Sequence, residues 1–244
     1  MEEKISREIY YSVAPEIFRR FPGYVRGVVI GSGVANGPSP AALLEQLGQA
    51  QEALRGRLDP GRLAEEPRIA CWREAYRSFG AKPSEFRSSV EAMARRVLRG
   101  ESLPAINGLV DIGNLVSLRH LAPAGSHAID VLTGDIELRP AGGDETFVPF
   151  GSEAAEHPLP GEIIFAEGKT VLTRRWTWRQ ARHTLTLPGT RAVEFNVDGL
   201  PPVPPTEIEE ACREIEALAS RFCGGAWRHE LLRAEQPRLL LVSG

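Results

Sequence analysis

The stretch LPAINGLVDIGNLVSLRHLAPAGSHAID, residues 103–130, is mostly apolar, yet it carries Asn107, Asp111, Asn114, His127 and Asp130. A buried Asp, Asn or His without a partner costs on the order of 1–3 kcal/mol. A fold that buries this segment must therefore satisfy these groups internally or let them line a cavity that binds something polar. The ordinary use of such side chains is in turns and caps, with Asp111-Ile-Gly-Asn114 opening a helix through LVSLRHL and Ser126-His127 in a loop. In the cavity reading, His127 serves as a base or a hydrogen-bond donor.

The rest of the chain narrows the class. Its 244 residues are 42% hydrophobic and 25% charged, and no apolar run approaches the roughly 18 residues of a membrane helix. The start MEEKISREIYYSVAPEIF is acidic where a signal peptide is basic, which points to a cytoplasmic protein with no membrane partner. Cys71, Cys212 and Cys223 are odd in number and lack CxxC spacing, so they read as structural thiols. A net charge of −3 argues against coating nucleic acid by bulk electrostatics, and no DNA partner is expected. Only Lys4, Lys82 and Lys169 are lysines. Arginine therefore carries almost all the positive charge; its planar fork suits phosphate and carboxylate, and its use also tracks genome composition.

Local pattern predicts an α+β fold, with a mixed or antiparallel sheet core and flanking helices. YVRGVVIGSGV (24–34) reads as a buried strand, and Ser39-Pro40 opens a helix whose Leu43, Leu44, Leu47, Leu54 and Leu58 share a face. PRIACWREAYRSFG is a second helix stopping at Gly80, and Pro83-Ser84 starts a third that ends at Gly100. After residue 100 short strands and turns dominate: a Thr-Gly-Asp turn lies in AIDVLTGDIELRPA, a hairpin sits at Glu167-Gly168-Lys169, and TRAVEFNVD forms a strand. Thr206 and Glu209 form a capping box for a helix that Gly224-Gly225 ends, and PRLLLV closes the chain as a strand. LPPVPP is too short to separate independent halves, so residues 1–244 read as a single domain.

Familiar catalytic motifs are absent. GSGVANG (31–37) completes neither GxGxxG nor GxxxxGK[ST] and reads as a turn. The five histidines show no i, i+4 pair, so neither metal nor cofactor is expected. The most basic stretch, KTVLTRRWTWRQARHTLTLPGTR (169–191), contains no acid. On a strand, Arg175, Thr177 and Arg179 would share one face and Trp176 and Trp178 the other. The arginines could then meet phosphate, or pair with the protein's own acids.

LPAINGLVDIGNLVSL followed by HAID resembles the signature of the B3/B4 domain of bacterial phenylalanyl-tRNA synthetase beta subunits. WREAYRSFG, GDIELRPA and VLTRRWTWRQ resemble the freestanding B3/B4 proteins more closely still. The likeness spans roughly residues 67–200, as a core with N-terminal strand–helix and C-terminal helix–strand extensions. In the synthetase this domain hydrolyses tyrosine wrongly esterified to the phenylalanine tRNA.

The resemblance implies a freestanding hydrolase of mischarged aminoacyl-tRNA. Asn114 and His127 match the family's pocket residues, and Arg175, Arg179 and Arg182 would meet the tRNA acceptor end. An amide can hold the amino acid's polar groups, and an imidazole can position water or the terminal ribose. TRRWTWRQ stands where the synthetase has a glycine-rich AGVMGG-like strand and turn, so either the pocket is rebuilt for another acyl group with Trp176 or Trp178 inside it, or catalysis has lapsed and binding remains. The family's substrate-binding Glu falls near Asn196, with Glu194 on the same side of an extended strand. Two other functions stay open: a noncatalytic module binding RNA or free amino acid, and a hydrolase of a small-molecule ester or amide. No ATP motif or class II catalytic core accompanies these elements, so aminoacylation itself is not expected.

Overall fold

The computed structural model describes residues 8–243; the segment MEEKISR, read above against a signal peptide, lies outside them. The chain opens with β1 (Ile9–Val13) and the short helix α1 (Pro15–Arg20), then runs into β2 (Val25–Ser32). Helices α2 (Ala41–Arg57), α3 (Pro67–Ser78), α4 (Ser89–Leu98) and α5 (Gly108–His120) follow, with one 3-10 turn at Leu63–Glu65. Strands β3 (Ala124–Ala128), β4 (Ile136–Pro140), β5 (Ile163–Glu167), β6 (Thr170–Arg174), β7 (Arg179–Gln180) and β8 (Ala192–Gly199) lead to α6 (Pro205–Cys223), β9 (Ala226–Leu232) and β10 (Arg238–Val242).

The strands form two sheets, one ordered β10-β1-β4-β5-β6-β7 and the other β3-β8-β2-β9. Pairing is antiparallel except between β1 and β4, so the α+β class with a mixed sheet holds. Helices α5 and α6 cover one face of the four-stranded sheet. At Gly27 of β2 an added Cβ would lie 2.3 Å from Cys212 Sγ and 3.0 Å from Ile208 Cγ2, so only glycine lets α6 approach this closely.

The opposite face of that sheet turns toward the six-stranded one, and there alternation places polar groups. Val193, Phe195 and Val197 of β8 face the helices, whereas Glu194, Asn196 and Asp198 point between the sheets. Arg26, 1% exposed, pairs with Asp198 at 3.1 Å and lies over the rings of Tyr11 and Phe165. Tyr24 donates its hydroxyl hydrogen to the same carboxylate. The layer between the sheets is thus aromatic and ionic together, with Arg26 and Asp198 neutralising each other.

Several sequence expectations need correction. The third helix begins at Ser89 rather than Ser84, because Ser88 caps it by accepting from Glu91 N at 3.4 Å while residues 83–86 form turns. The capping box at Thr206 and Glu209 is not formed: the last helix starts at Pro205 with Pro204 at its cap, so Thr206 already lies inside it. The middle of the chain is less purely sheet than expected, since α5 starts at Gly108 and Asn107 caps it by accepting from Val110 N at 3.1 Å. Asp111 therefore sits in its first turn instead of opening it. Leu44 is 37% exposed, while Leu43, Leu47 and Leu54 bury their side chains. The short strands β1 and β9 and helix α1 were not read from the sequence.

The largest departure is at residues 175–178, which form a turn and not a strand. Arg175 and Trp176 both adopt left-handed backbone conformations, with φ of 47° and 65°. Such angles cost a non-glycine residue on the order of 1–3 kcal/mol and persist only where surroundings impose them. Here Trp176 N donates to Ile163 O at 2.7 Å and Ser89 N donates to Thr177 O at 2.9 Å. Arg174 closes a two-toothed pair on Glu162, with both contacts at 2.8 Å. The Trp176 ring is held edge-on by Phe21, Tyr24 and Trp72 at 4.8–5.1 Å.

Candidate functional site

The polar groups of residues 103–130 divide between two roles. Asn107 spends its side chain on the α5 cap and on Thr186 O, to which its Nδ2 donates at 2.9 Å. Asp111 accepts from Ser39 Oγ at 2.5 Å and from Ile106 N at 3.1–3.2 Å. Burial raises its pKa, while these bonds and the Asn114 side chain oppose the shift. Asp130 accepts from Arg191 N at 2.8 Å. These three tie down the chain on either side of Asn114 and His127.

Asn114 from α5 and His127 from β3 line one cavity of about 190 Å³. Asn196 of β8, Trp176 and Trp178 of the strained turn, and Arg179 of β7 complete much of the wall. The indoles therefore shape the hollow without filling it. Glu194, Arg175 and Arg182 do not line it.

His127 is 3% exposed, and burial first, then the charge of Arg26, lowers its pKa to about 3. At neutral pH the imidazole is uncharged. Its Nδ1 lies 2.7 Å from Thr184 Oγ1 and its Nε2 3.2 Å from Thr173 Oγ1, while the ring edge meets Phe165. Gln180 Nε2 donates to Ser126 O at 2.9 Å and to Thr184 O at 3.0 Å, which pins the strand carrying His127 against β7. Thr173 and Gln180 are themselves cavity-wall residues. None of these three partners was read from the sequence. They lie 46–57 positions from His127, and no local spacing marks them.

Asn196 donates from Nδ2 to Asp198 Oδ2 at 3.1 Å, but its Oδ1 is buried with no hydrogen-bond partner among the described residues. A buried, unused acceptor in a cavity wall is a place for a ligand's N–H or O–H. Glu194 lies behind the wall, directly across the strand pair from His127. It is fully buried, and neither carboxyl oxygen has a hydrogen-bond partner among the described residues. Burial raises its pKa to about 8, with Arg26 opposing the shift and Asp198 adding to it.

The arginines separate. The Arg175 guanidinium is buried against the Phe86 ring at 3.6 Å and the Trp178 ring at 4.6 Å, with Glu162 at 3.5 Å. Because the turn replaces the expected strand, Arg175 and Arg179 do not share an open face. Arg179 is half-exposed at the mouth, 3.7 Å from Glu156, and Arg182 reaches Glu153 at 2.7 Å away from the cavity. Among the described residues, no group of three or more His, Cys, Asp or Glu is arranged to hold a metal ion, and no helix is long and apolar enough to cross a membrane.

A family model described as the B3/4 domain matches residues 71–224. Among solved structures the chain is similar to an N-terminal fragment of the phenylalanyl-tRNA synthetase beta-subunit from Pyrococcus horikoshii, at 13% identity and a TM-score of 0.46. That alignment covers 91% of this chain and 51% of the fragment, so the chain spans about half the fragment's length. No curated protein matches it.

Proposed function

This chain belongs to the B3/4 domain family, and from that premise we propose that it hydrolyses the ester of a mischarged aminoacyl-tRNA in the cavity between Asn114, His127 and Asn196. The observation that carries the reading is the convergence of those three side chains on one hollow, with the buried Asn196 Oδ1 left without a partner among the described residues. The α-ammonium of an esterified amino acid is a donor of the kind that atom lacks. Asn114 offers an amide for the remaining polar groups.

Water attacks the ester carbonyl carbon, the bond from that carbon to the ribose oxygen breaks, and the amino acid and a free ribose hydroxyl are the products. A histidine with a pKa near 3 is a poor proton acceptor at neutral pH. Its contribution is positional: it fixes the Thr173 hydroxyl in the wall, and that hydroxyl orients the attacking water. Rate enhancement then comes from proximity and alignment.

The same weak basicity favours a second reading, a noncatalytic module that binds amino acid or the RNA end through the same wall. Release of amino acid from a panel of mischarged tRNAs separates the two. Hydrolysis by the unaltered protein, lost in His127→Ala and Asn114→Ala, supports the first; no release from any member, with tRNA still bound, supports the second.

A further inference from the structure

A second cleft lies outside the cavity just described, between the α2–α3 connection and α4. It has a volume of about 190 Å³ and is lined by Pro60, Leu63, Arg87, Arg95, Leu98 and Arg99. Beneath it lies Glu91, 1% exposed, on which Arg73 closes at 2.6 Å, Arg95 at 2.8 Å and Arg87 at 3.9 Å. One carboxylate thus stands against three guanidinium groups, and Arg99, at the rim, is 69% exposed. Arg87 Nε is buried yet makes no hydrogen bond among the described residues. Counting Glu91 below and Glu101, 3.9 Å from Arg99, the three arginines of the wall still exceed the acids by one, and Pro60, Leu63 and Leu98 supply apolar surface between them. That combination suits a phosphate joined to a sugar better than a bare ion.

Its position gives the occupant. Helix α4 spans both sites, because Ser89 at its start lines the first cavity while Arg95 and Arg99 line the cleft. At about 1.5 Å per residue these arginines stand roughly 9 and 15 Å along the helix from Ser89. A stacked strand rising about 3.4 Å per nucleotide covers that distance in about three to four nucleotides. We infer that this arginine cleft docks the phosphate backbone of the RNA strand whose aminoacylated end enters the cavity, an inference that rests on the reading of the cavity as an aminoacyl-ester site. Arg95 lies on α4, Arg99 caps its C-terminal end and Arg87 lies two residues before its first turn, so the interaction runs along one helix and its two flanks.

The test uses the full chain and an unacylated tRNA transcript, with affinity measured between 50 and 200 mM salt. Every phosphate the protein ceases to neutralise lowers the slope of log affinity against log salt by about 0.7–0.9. Arg87→Gln/Arg99→Gln, which leaves Arg73 and Arg95 on Glu91, is expected to lower that slope by about 1.5 and to weaken binding at low salt about tenfold or more. Arg213→Gln, on the far helix α6, is expected to change neither. A slope unaltered by the double substitution overturns the inference, as does arginine-dependent binding of inorganic phosphate with no arginine-dependent change in RNA binding. Because the tRNA carries no amino acid, arginine-dependent binding by a protein that releases no amino acid contradicts the hydrolase reading alone and leaves the cleft standing.

Discussion

His127 Nδ1 lies 2.7 Å from Thr184 Oγ1, and on the far side of the ring Nε2 lies 3.2 Å from Thr173 Oγ1. The imidazole is a link between two hydroxyls, one behind the wall and one in it. Thr184→Val removes the rear anchor and is expected to slow amino acid release roughly a hundredfold, the scale on which a misplaced group costs rate. Thr184→Ser restores the hydroxyl and most of the rate. Because the ring stays neutral until the pH falls toward about 3, the pH–rate profile of the unaltered protein is expected to show no step near the ordinary histidine value of 6.5.

Glu194 makes stability depend on pH. Its folded pKa is raised to about 8 from an ordinary 4.5, so the folded state holds the proton more tightly than the unfolded chain. The stabilisation is therefore complete below about pH 4.5 and is lost as pH rises through 8, at up to about 1.4 kcal/mol per pH unit between those values. Denaturant unfolding at about pH 7 and about pH 8, above the range in which the lowered pKa of His127 gives the opposite slope, measures it. Glu194→Gln is expected to flatten the dependence and to raise stability at the higher pH; an equal slope in the two proteins would contradict the assignment.

Arg174 and Glu162 hold the strained turn from below. Both are buried, and without Arg174 the Glu162 carboxylate keeps only Arg175, at 3.5 Å. Arg174→Ala is expected to destabilise the fold by about 3–5 kcal/mol. Trp176 should shift its fluorescence as its backbone relaxes. Arg174→Met/Glu162→Leu also takes the carboxylate from the buried Arg175 guanidinium and is expected to recover none of the loss.

How far the fold was legible follows from where the forces are local. The β-branched run of β2, the alternation of β8 and the hairpin at Gly168, whose φ is 53°, are all written in neighbouring residues. So is the spacing of Arg87, Glu91, Arg95 and Arg99 along α4 and its two flanks, a signal present in the sequence and not read. The turn at 175–178 is different. Nothing in RWTW favours left-handed backbone, and its shape comes from Ile163 O, Glu162 and the surrounding rings of Phe21, Tyr24 and Trp72, all distant in sequence. For the same reason the sequence pointed to Asn114, His127 and Asn196 as residues and was silent on Thr173, Gln180 and Thr184, which orient one of them.

The close seat of α6 on β2 gives a packing test. A Cβ at position 27 would sit 2.3 Å from Cys212 Sγ. Gly27→Ala is expected to cost about 1–3 kcal/mol by overpacking. Cys212→Ala in the same background should return part of it, since the sulfur is the nearest clashing atom. Additive losses in the pair would mean that the two do not touch.

The central claim is that an esterified amino acid occupies the hollow shared by Asn114, His127 and Asn196. The direct measurement is a crystal structure with a nonhydrolysable amide analogue of aminoacyl-adenosine, paired with calorimetric affinities for the unaltered protein and Asn196→Leu. The acyl group should lie in this cavity, its ammonium within hydrogen-bond distance of Asn196 Oδ1, and Asn196→Leu should weaken binding about tenfold or more, the scale of one missing hydrogen bond to a charged group. An analogue bound elsewhere, or held equally well by Asn196→Leu, contradicts the claim.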